Sequence, residues 1–435
     1  MGMREMKDSG IEWIGEIPNS WTVRRGKTLF VNTKYIPGKL SSNYDRLSLT
    51  LKGVLPRKKD DSDGLQPKDF DTYQLLRENE LVFKLIDLQN VSTSRVGLAH
   101  ATGLVSPAYI VLHANKEILP AFAEKFYLMM WYREIFNSLG DNGVRSSLNV
   151  SDLLNIPVCY PKMEEQIFLT NFLDTQCSEI DATAEDIRKE ISLLEDYKKS
   201  VITEAMTKGL NPDAEMKDSG IAWIGDIPKD WDLLKIGYVT KEISDIDHYM
   251  PSDSDDIDKV PYLMIGDLKE NISQIDFESC KYISKKVYRA LSIKSKPEKG
   301  NVIFARYATI GTVCFVDSEK QLLVSYACLT VKANELIKGR FLFYYFKSNA
   351  FLEEVSQYVK SNTQGNIGKE SLIRAKIVVP KLKEQTQIIS YLDSKCSEID
   401  AIIADKKRQR GILAEYKKSL IYEYVTGKKE VPVHE

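Results

Sequence analysis

The chain has 435 residues, a formal net charge of −2, 43% apolar and 28% charged residues. That is the composition of an ordinary globular protein, and no apolar run approaches the roughly 18 residues of a membrane span. The near-zero charge excludes a uniformly basic nucleic-acid binder, so any contact with phosphate would need local clusters of Lys and Arg. The segment MGMREMKDSG is charged and has no apolar stretch, which predicts no signal peptide and a cytoplasmic location.

In chain order, the first feature is the string MKDSGIEWIGEIPNSW over Met6 to Trp21, which returns as MKDSGIAWIGDIPKDW over Met216 to Trp231, 210 residues on. A repeat of this period fixes an architecture before any single element does. The filling at 22–160 reads as a mixed α/β domain. Short strands are predicted at Leu81–Phe83 and Tyr109–Leu112. An aromatic-rich amphipathic helix follows over Ala121–Leu139, then a Gly/Asn loop and a strand through Ile156 that ends at Pro161.

Glu165-Gln166 opens a long helix over 165–206. Leu173, Ile180, Ile187, Leu194 and Val201 recur every seven residues, with Cys177, Ala184 and Ile191 four after the first three. This is a coiled-coil seam, and about 40 helical residues span about 60 Å, the reach of a spacer. Thr207, Lys208 and Gly209 form a stop, and Asn211-Pro212 a breaker.

The second filling, 232–380, follows the same plan with little identity. Its predicted strands are Val302–Phe304, Thr312–Val316, Cys328–Val331 and Ile377–Val379, and its aromatic helix is Arg340–Tyr358. Glu384-Gln385 opens the second long helix, 219 residues after the first pair. Leu392, Ile399, Leu413 and Leu420 keep the seam, and Lys406 interrupts it, with Arg410 and Lys417 on its flanks. Ile402, Ile403, Ile412 and Tyr416 are expected to hold an apolar face nearby. Its ionic positions would face a partner or snorkel. Two such helices in one chain most simply pack on each other.

The charge is uneven. Residues 22–160 carry 18 Lys and Arg against 14 Asp and Glu, residues 232–380 carry 21 against 19, and residues 164–215 carry 5 against 13. Both fillings are mildly basic and the first long helix is acidic.

Motifs of an enzyme are missing. There is no Gly-rich phosphate loop, no dinucleotide turn and no Asp/Asn-Pro-Pro-aromatic tetrapeptide of an amino-methyltransferase. Pro212-Asp213 with Glu215 and Lys217 looks superficially like a nuclease signature, but these groups are too close in sequence to come from separate strands. The run Asp253, Asp255, Asp256, Asp258 lacks the glycine and distal glutamate of a calcium loop. The histidines, His100, His113, His248 and His434, are not paired for metal. The six cysteines form no C-x-x-C pair, and Cys177 and Cys396 read as small apolar residues on a helix face.

The WIG frame, a variable domain, a proline-ended strand with Glu-Gln, and a helix containing LDxxCSEIDA and YKKSxI together resemble the specificity subunit of type I restriction–modification systems. The resemblance covers the whole chain. It implies an α+β fold with two mixed α/β target recognition domains, separated by two long helices packed as an antiparallel coiled coil with an internal pseudo-twofold repeat. The implied division is 1–160 and 216–380 for the recognition domains, with 161–215 and 381–435 as helical spacers. It implies a prokaryotic, non-catalytic chain. Its partners would be double-stranded DNA with a split site, two methyltransferase subunits, and two restriction subunits in the full complex. S-adenosylmethionine, ATP and magnesium would belong to those partners, leaving no cofactor for this chain.

Base edges are read by Arg, Lys, Asn and Gln on polar loops over rigid elements. The candidates in the first filling are Lys52, Arg57 and Lys58; Gln89, Asn90, Ser92 and Arg95 of QNVSTSR; and Asn142, Arg145 and Ser146 of DNGVRSSLN. In the second they are Arg306 and Tyr307 of FARYATIG, and Asn362, Gln364, Asn366 and Lys369 of KSNTQGNIGK. Arg306 could equally pair with a carboxylate. A coiled-coil scaffold that joins proteins without touching DNA is the main rival reading, favoured by the acidic first helix; a self-contained nuclease or methyltransferase is the third.

Overall fold

The computed structural model describes residues 4–59, 70–89, 93–139, 147–307, 311–358 and 366–432. It forms two compact units, one of Met1–Arg188 with Arg408–Glu435 and one of Lys189–Lys407. Each unit holds one mixed module and a stretch of both long helices.

The two modules are built alike. The main sheet of the first runs in the order Phe30–Asn32, Ile110–Ala114, Leu81–Phe83, Val96–Leu98, antiparallel throughout. The second repeats it as Thr240–Ser244, Cys328–Ala333, Val302–Ala305, Val313–Phe315. A second sheet in each, four-stranded in the first module and three-stranded in the second, contains one parallel pair, Arg46–Thr50 with Gly103–Val105 in the first and Val260–Leu263 with Leu323–Val324 in the second. A two-stranded ribbon completes each, Thr22–Arg25 with Pro157–Tyr160 and Asp232–Lys235 with Lys376–Val379. The fold is α+β.

The predicted aromatic helices are each broken in two. Pro120–Tyr132 and Ile135–Leu139 are separated at Glu134, which takes φ 58°. Gly339–Lys347 and Asn349–Ser356 are separated at Ser348, a buried N-cap whose hydroxyl accepts from the Phe351 amide at 3.2 Å. Their rings fill the core against the main sheet, as in Phe83 against Tyr127 at 4.9 Å and Phe304 against Phe346 at 5.5 Å.

The long helices run from Met163 to Lys208 and from Leu382 to Val425. In the first unit, Leu173, Cys177 and Ile180 are buried together with Leu420, Ile421 and Tyr424, and Lys417 binds Asp181 at 2.6 Å. In the second, Ile191, Val201, Leu392, Cys396, Ile399 and Ile403 are buried, Lys198 binds Asp400 at 2.7 Å and Lys406 binds Glu190 at 2.6 Å. Within each unit the pairings step forward on one helix and backward on the other, so the segments run antiparallel. Lys406, which breaks the heptad pattern, is thus placed against a carboxylate across the helix pair. Ile402, Ile412 and Tyr416 do not form the apolar face expected of them; they are exposed, and Ile403 alone of that group is buried. All six cysteines are buried and free of disulfides, and burial pushes the Cys159, Cys314 and Cys328 thiols up to about 12.

The repeated residues turn out to be joints. Trp21 Nε1 donates to Glu165 at 3.2 Å, and Trp231 Nε1 donates to Glu384 at 3.0 Å. Gln166, fully buried, accepts from the Leu119 amide at 2.7 Å and donates to the carbonyls of Pro161 and Glu117. Gln385 makes the same three bonds, to Lys338, Pro380 and Leu336. Each tryptophan also meets the glycine that ends the other long helix. Gly427 (φ +70°) lies where a Cβ would come within 3.1 Å of Trp21, and Gly209 (φ +75°) does the same for Trp231. A side chain at either position would meet both the ring and left-handed backbone strain.

In the second unit, Glu270 ties its module to the helices. It takes the ammonium groups of Lys347 and Lys198, and Lys198 also holds Asp400. Burial works to raise the Glu270 carboxyl, but Lys347 and Lys198 overcome it and hold it at about 2. A carboxyl held below its ordinary value contributes stability fully above about pH 4.5 and loses it as pH falls towards 2. The side chain is 39% exposed, so solvent screening reduces the contribution to about 1–2 kcal/mol. Glu270→Gln should therefore be less stable than the wild type at pH 7, with the gap closing between about pH 4.5 and 2 in thermal melts. A gap independent of pH would show that the carboxylate's charge is not what holds the joint.

Candidate nucleic-acid interface

Topology decides which loops meet. In each main sheet the first and third strands are both antiparallel to the strand between them, so both leave the sheet at the same edge. In the first unit the loop after Phe83 leaves there, and the loop preceding the helix Val150–Asn155 comes back to it: the Leu148 amide donates to the Leu85 carbonyl at 2.9 Å. In the second unit the Ile367 amide donates to the Arg306 carbonyl at 3.0 Å, at the matching place. Loops chosen separately from the sequence are thus adjacent, in the same way, in both units.

The individual side chains are placed as follows. Lys52 is exposed at the tip of the hairpin formed by Arg46–Thr50 and Gly53–Arg57, its amide held by the Thr50 hydroxyl at 3.0 Å. Lys58 and Gln89 are exposed and Arg57 is half-buried. Arg95 is not a surface reader. It is 1% exposed and its guanidinium donates to the carbonyls of Asp87 at 2.6 Å and of Lys84 and Ile86 at 3.4 Å. Those carbonyls have no strand partner to satisfy them, so the arginine serves the loop that carries it. Asn90, Ser92, Asn142, Arg145, Ser146, Asn362 and Gln364 lie outside the described residues.

In the second unit Arg306 has the carboxylate partner that its sequence left open. Its Nη1 binds Asp245 at 2.5 Å, its Nη2 donates to the Tyr307 hydroxyl at 3.1 Å, and its plane lies 5.0 Å from the Tyr307 ring. The side chain keeps 17% exposure, so the fork is oriented but still reachable. Tyr307 stands edge-on to Tyr326 at 6.4 Å, and Tyr326 lies 4.0 Å from His248. Asn366 is exposed and bridges to Tyr307 through the backbone; Lys369 is exposed at the start of the helix Lys369–Arg374. Asp245, His248 and Tyr326 are members of this cluster that sequence reasoning did not select. Tyr326 sits among strand-like residues, His248 was weighed only as a metal ligand, and Asp245 becomes visible only through its partner.

The cluster joins an oriented cation, aromatic faces and an exposed amide on one edge. It offers hydrogen bonds and stacking to a polyanion, and it holds no arrangement of nucleophile and base. Among the described residues no group of three or more His, Cys, Asp or Glu is placed to hold a metal ion, and no helix is long and apolar enough to cross a membrane.

Comparison with known proteins places the whole chain rather than the cluster. A family model described as the type I restriction modification DNA specificity domain matches residues 228–409. The type I restriction enzyme MjaVIII specificity subunit of Methanocaldococcus jannaschii is 27% identical over 289 residues, 64% of this chain and 63% of that protein, so the match spans under two thirds of that relative. The putative type I restriction enzyme MjaX specificity subunit of the same organism is 24% identical over 441 residues, covering 96% of each. A solved chain from a study of complex assembly and conformational transition of the type I R-M system shares the fold. Its TM-score is 0.65 at 13% identity, over 95% of this chain and 99% of that one. The family model and both relatives liken this chain to one family, the specificity subunits of type I restriction–modification systems.

Proposed function

We propose that this chain reads a split DNA site, one half-site per recognition module, and positions catalytic partners on it. The specificity subunit is the non-catalytic member of such systems. In this reading residues 1–160 and 216–380 are the target recognition domains, and 161–215 and 381–435 are helical spacers packed as an antiparallel coiled coil with pseudo-twofold symmetry. Two methyltransferase subunits, and two restriction subunits in the full complex, bring S-adenosylmethionine, ATP and magnesium; this chain carries no cofactor. It works in the prokaryotic cytoplasm, where the DNA is.

The observation that carries the reading is the recurrence of one loop junction, Leu85 with Leu148 and Arg306 with Ile367, on modules that differ in sequence. A common frame with different loop chemistry is what two different half-sites require. The rival scaffold reading drew on the acidity of the first long helix. Part of that acidity is answered inside the units, since Asp181 and Glu190 pair with Lys417 and Lys406.

Filter binding of the chain with its methyltransferase partners to random-sequence duplexes tests the proposal. Selection should enrich a bipartite motif. Asn366→Ala and Arg145→Ala should each weaken specific binding by about 1–3 kcal/mol and relax one position of one half-site. Retention of no duplex, with the partners still assembled, would instead favour the scaffold.

A further inference from the structure

A short string recurs inside the two divergent fillings, at the sheet edge described above. The strand Phe30–Asn32 is followed by Lys34-Tyr35-Ile36-Pro37, and the corresponding strand Thr240–Ser244 by His248-Tyr249-Met250-Pro251. The burial is also the same. Tyr35 and Ile36 are each 46% exposed, Tyr249 and Met250 are 50% and 45% exposed, and both prolines are buried. A buried proline with fixed φ pins each tip, so a ring and an apolar side chain are presented to water on a rigid base. Single exposed apolar residues need no explanation. The same pair on the same loop of two modules with little other identity does.

In the second unit the tip adjoins a reading loop, and in the first it shares the sheet edge with one. Tyr35 accepts the Leu75 amide at 2.8 Å through its carbonyl, and Arg77 lies 5.5 Å from its ring. In the second unit His248, next to Tyr249, lies against Tyr326, and Tyr326 leads through Tyr307 to Arg306 and Asn366. Each exposed pair is preceded by an exposed Lys34 or His248, and the carboxylates nearby are engaged, Asp247 with Lys294 at 2.6 Å and Glu80 with Thr33 at 2.9 Å.

We propose that Tyr35-Ile36 and Tyr249-Met250 are a matched pair of DNA contacts that pack on sugar and base faces of the duplex at the two half-sites, supplying affinity without choosing bases. This rests on the DNA-reading function proposed above. The chemistry suits it: a ring face and a thioether or aliphatic chain contact sugars and base steps of any sequence, whereas Arg306 and Asn366 carry donors that distinguish base edges. It also explains why the tips are alike while the reading loops differ.

The test uses the full chain assembled with its methyltransferase subunits. Tyr35→Ala and Tyr249→Ala should each weaken binding about tenfold, to the selected duplex and to single-mismatch duplexes alike. The double variant should lose about a hundredfold, the methylated motif should stay the same, and Tyr→Phe should restore binding to within about threefold. Ile36→Ser and Met250→Ser should each lower affinity in the same sense, and melting temperatures should be unchanged for side chains this exposed. Alanine variants that bind within twofold of wild type, while Asn366→Ala loses its position, would overturn the proposal and leave the DNA reading standing. Loss of the methyltransferase subunits on gel filtration would overturn it in favour of protein docking. A wild-type assembly with no site preference would overturn the underlying reading and this proposal together.

Discussion

Trp231→Ala is expected to destabilise the unit of Lys189–Lys407 by about 3–5 kcal/mol, the cost of emptying a fully buried aromatic site. The ring occupies the joint where the end of the first long helix, at Gly209, meets the start of the second, at Glu384. Removing it leaves a cavity and also deprives Glu384 of its indole donor. Burial raises the Glu384 carboxyl and the indole bond works against that rise, so the partly buried carboxylate left behind loses a favourable donor. Trp231→Phe keeps most of the volume and loses only the N–H, so about 1–2 kcal/mol is expected. Trp21→Ala should do to the other unit what Trp231→Ala does here, since Trp21 is 1% exposed between Glu165 and Gly427. Urea unfolding of the full chain checks all three. A change under about 0.5 kcal/mol for either alanine variant, the range of an ordinary surface substitution, would mean that the repeated tryptophans are not joints.

The second large effect concerns spacing. The first long helix ends at Lys208, and Gly209 turns away with positive φ, so the 210–215 linker does not prolong it. An insertion that lengthens the spacer therefore belongs inside the helices, near Arg188 and Arg408, where each passes between the units. Four residues added to both helices lengthen each by about 6 Å, close to one full turn, so the seam keeps its facing. Duplex DNA rises about 3.4 Å per base pair. If the helix pair sets the separation of the readers, the unspecified gap in the site should grow by roughly two base pairs, fewer if the helices cross obliquely, with both half-sites unchanged. Mapping methylated sites in cells carrying the insertion reads this directly. An unchanged gap with retained methylation would show that the helices do not set it.

Much of the architecture was legible because the repeated residues are those that hold the frame together. Trp21 with Trp231, and Glu165-Gln166 with Glu384-Gln385, make the same contacts twice; the Asp of each LD pair reaches the aromatic helix by different chemistry, Asp174 holding Lys125 at 2.7 Å and Asp393 the Tyr344 hydroxyl at 2.6 Å. Heptad spacing showed the seam, which is a local property. What escaped depends on non-local partners. Lys406 looked like an interruption because Glu190, its answer, is 216 residues away. The aromatic helices looked continuous because neither Glu134 nor Ser348 is a strong breaker by composition. Arg95 looked like a reader because a polar loop normally faces water, yet this loop's carbonyls needed an internal donor. Asp245 was invisible until the fold brought it to Arg306.

The central claim is that each module reads its own half-site. Exchanging residues 22–160 for the corresponding segment of another specificity subunit, with the frame and both helices kept, tests it most directly. The measurement is the methylated motif in genomic DNA from cells carrying the chimera. The account predicts one new half-site, the other half-site unchanged, and the same gap. A chimera that is assembled and active but changes both half-sites, or neither, would contradict it.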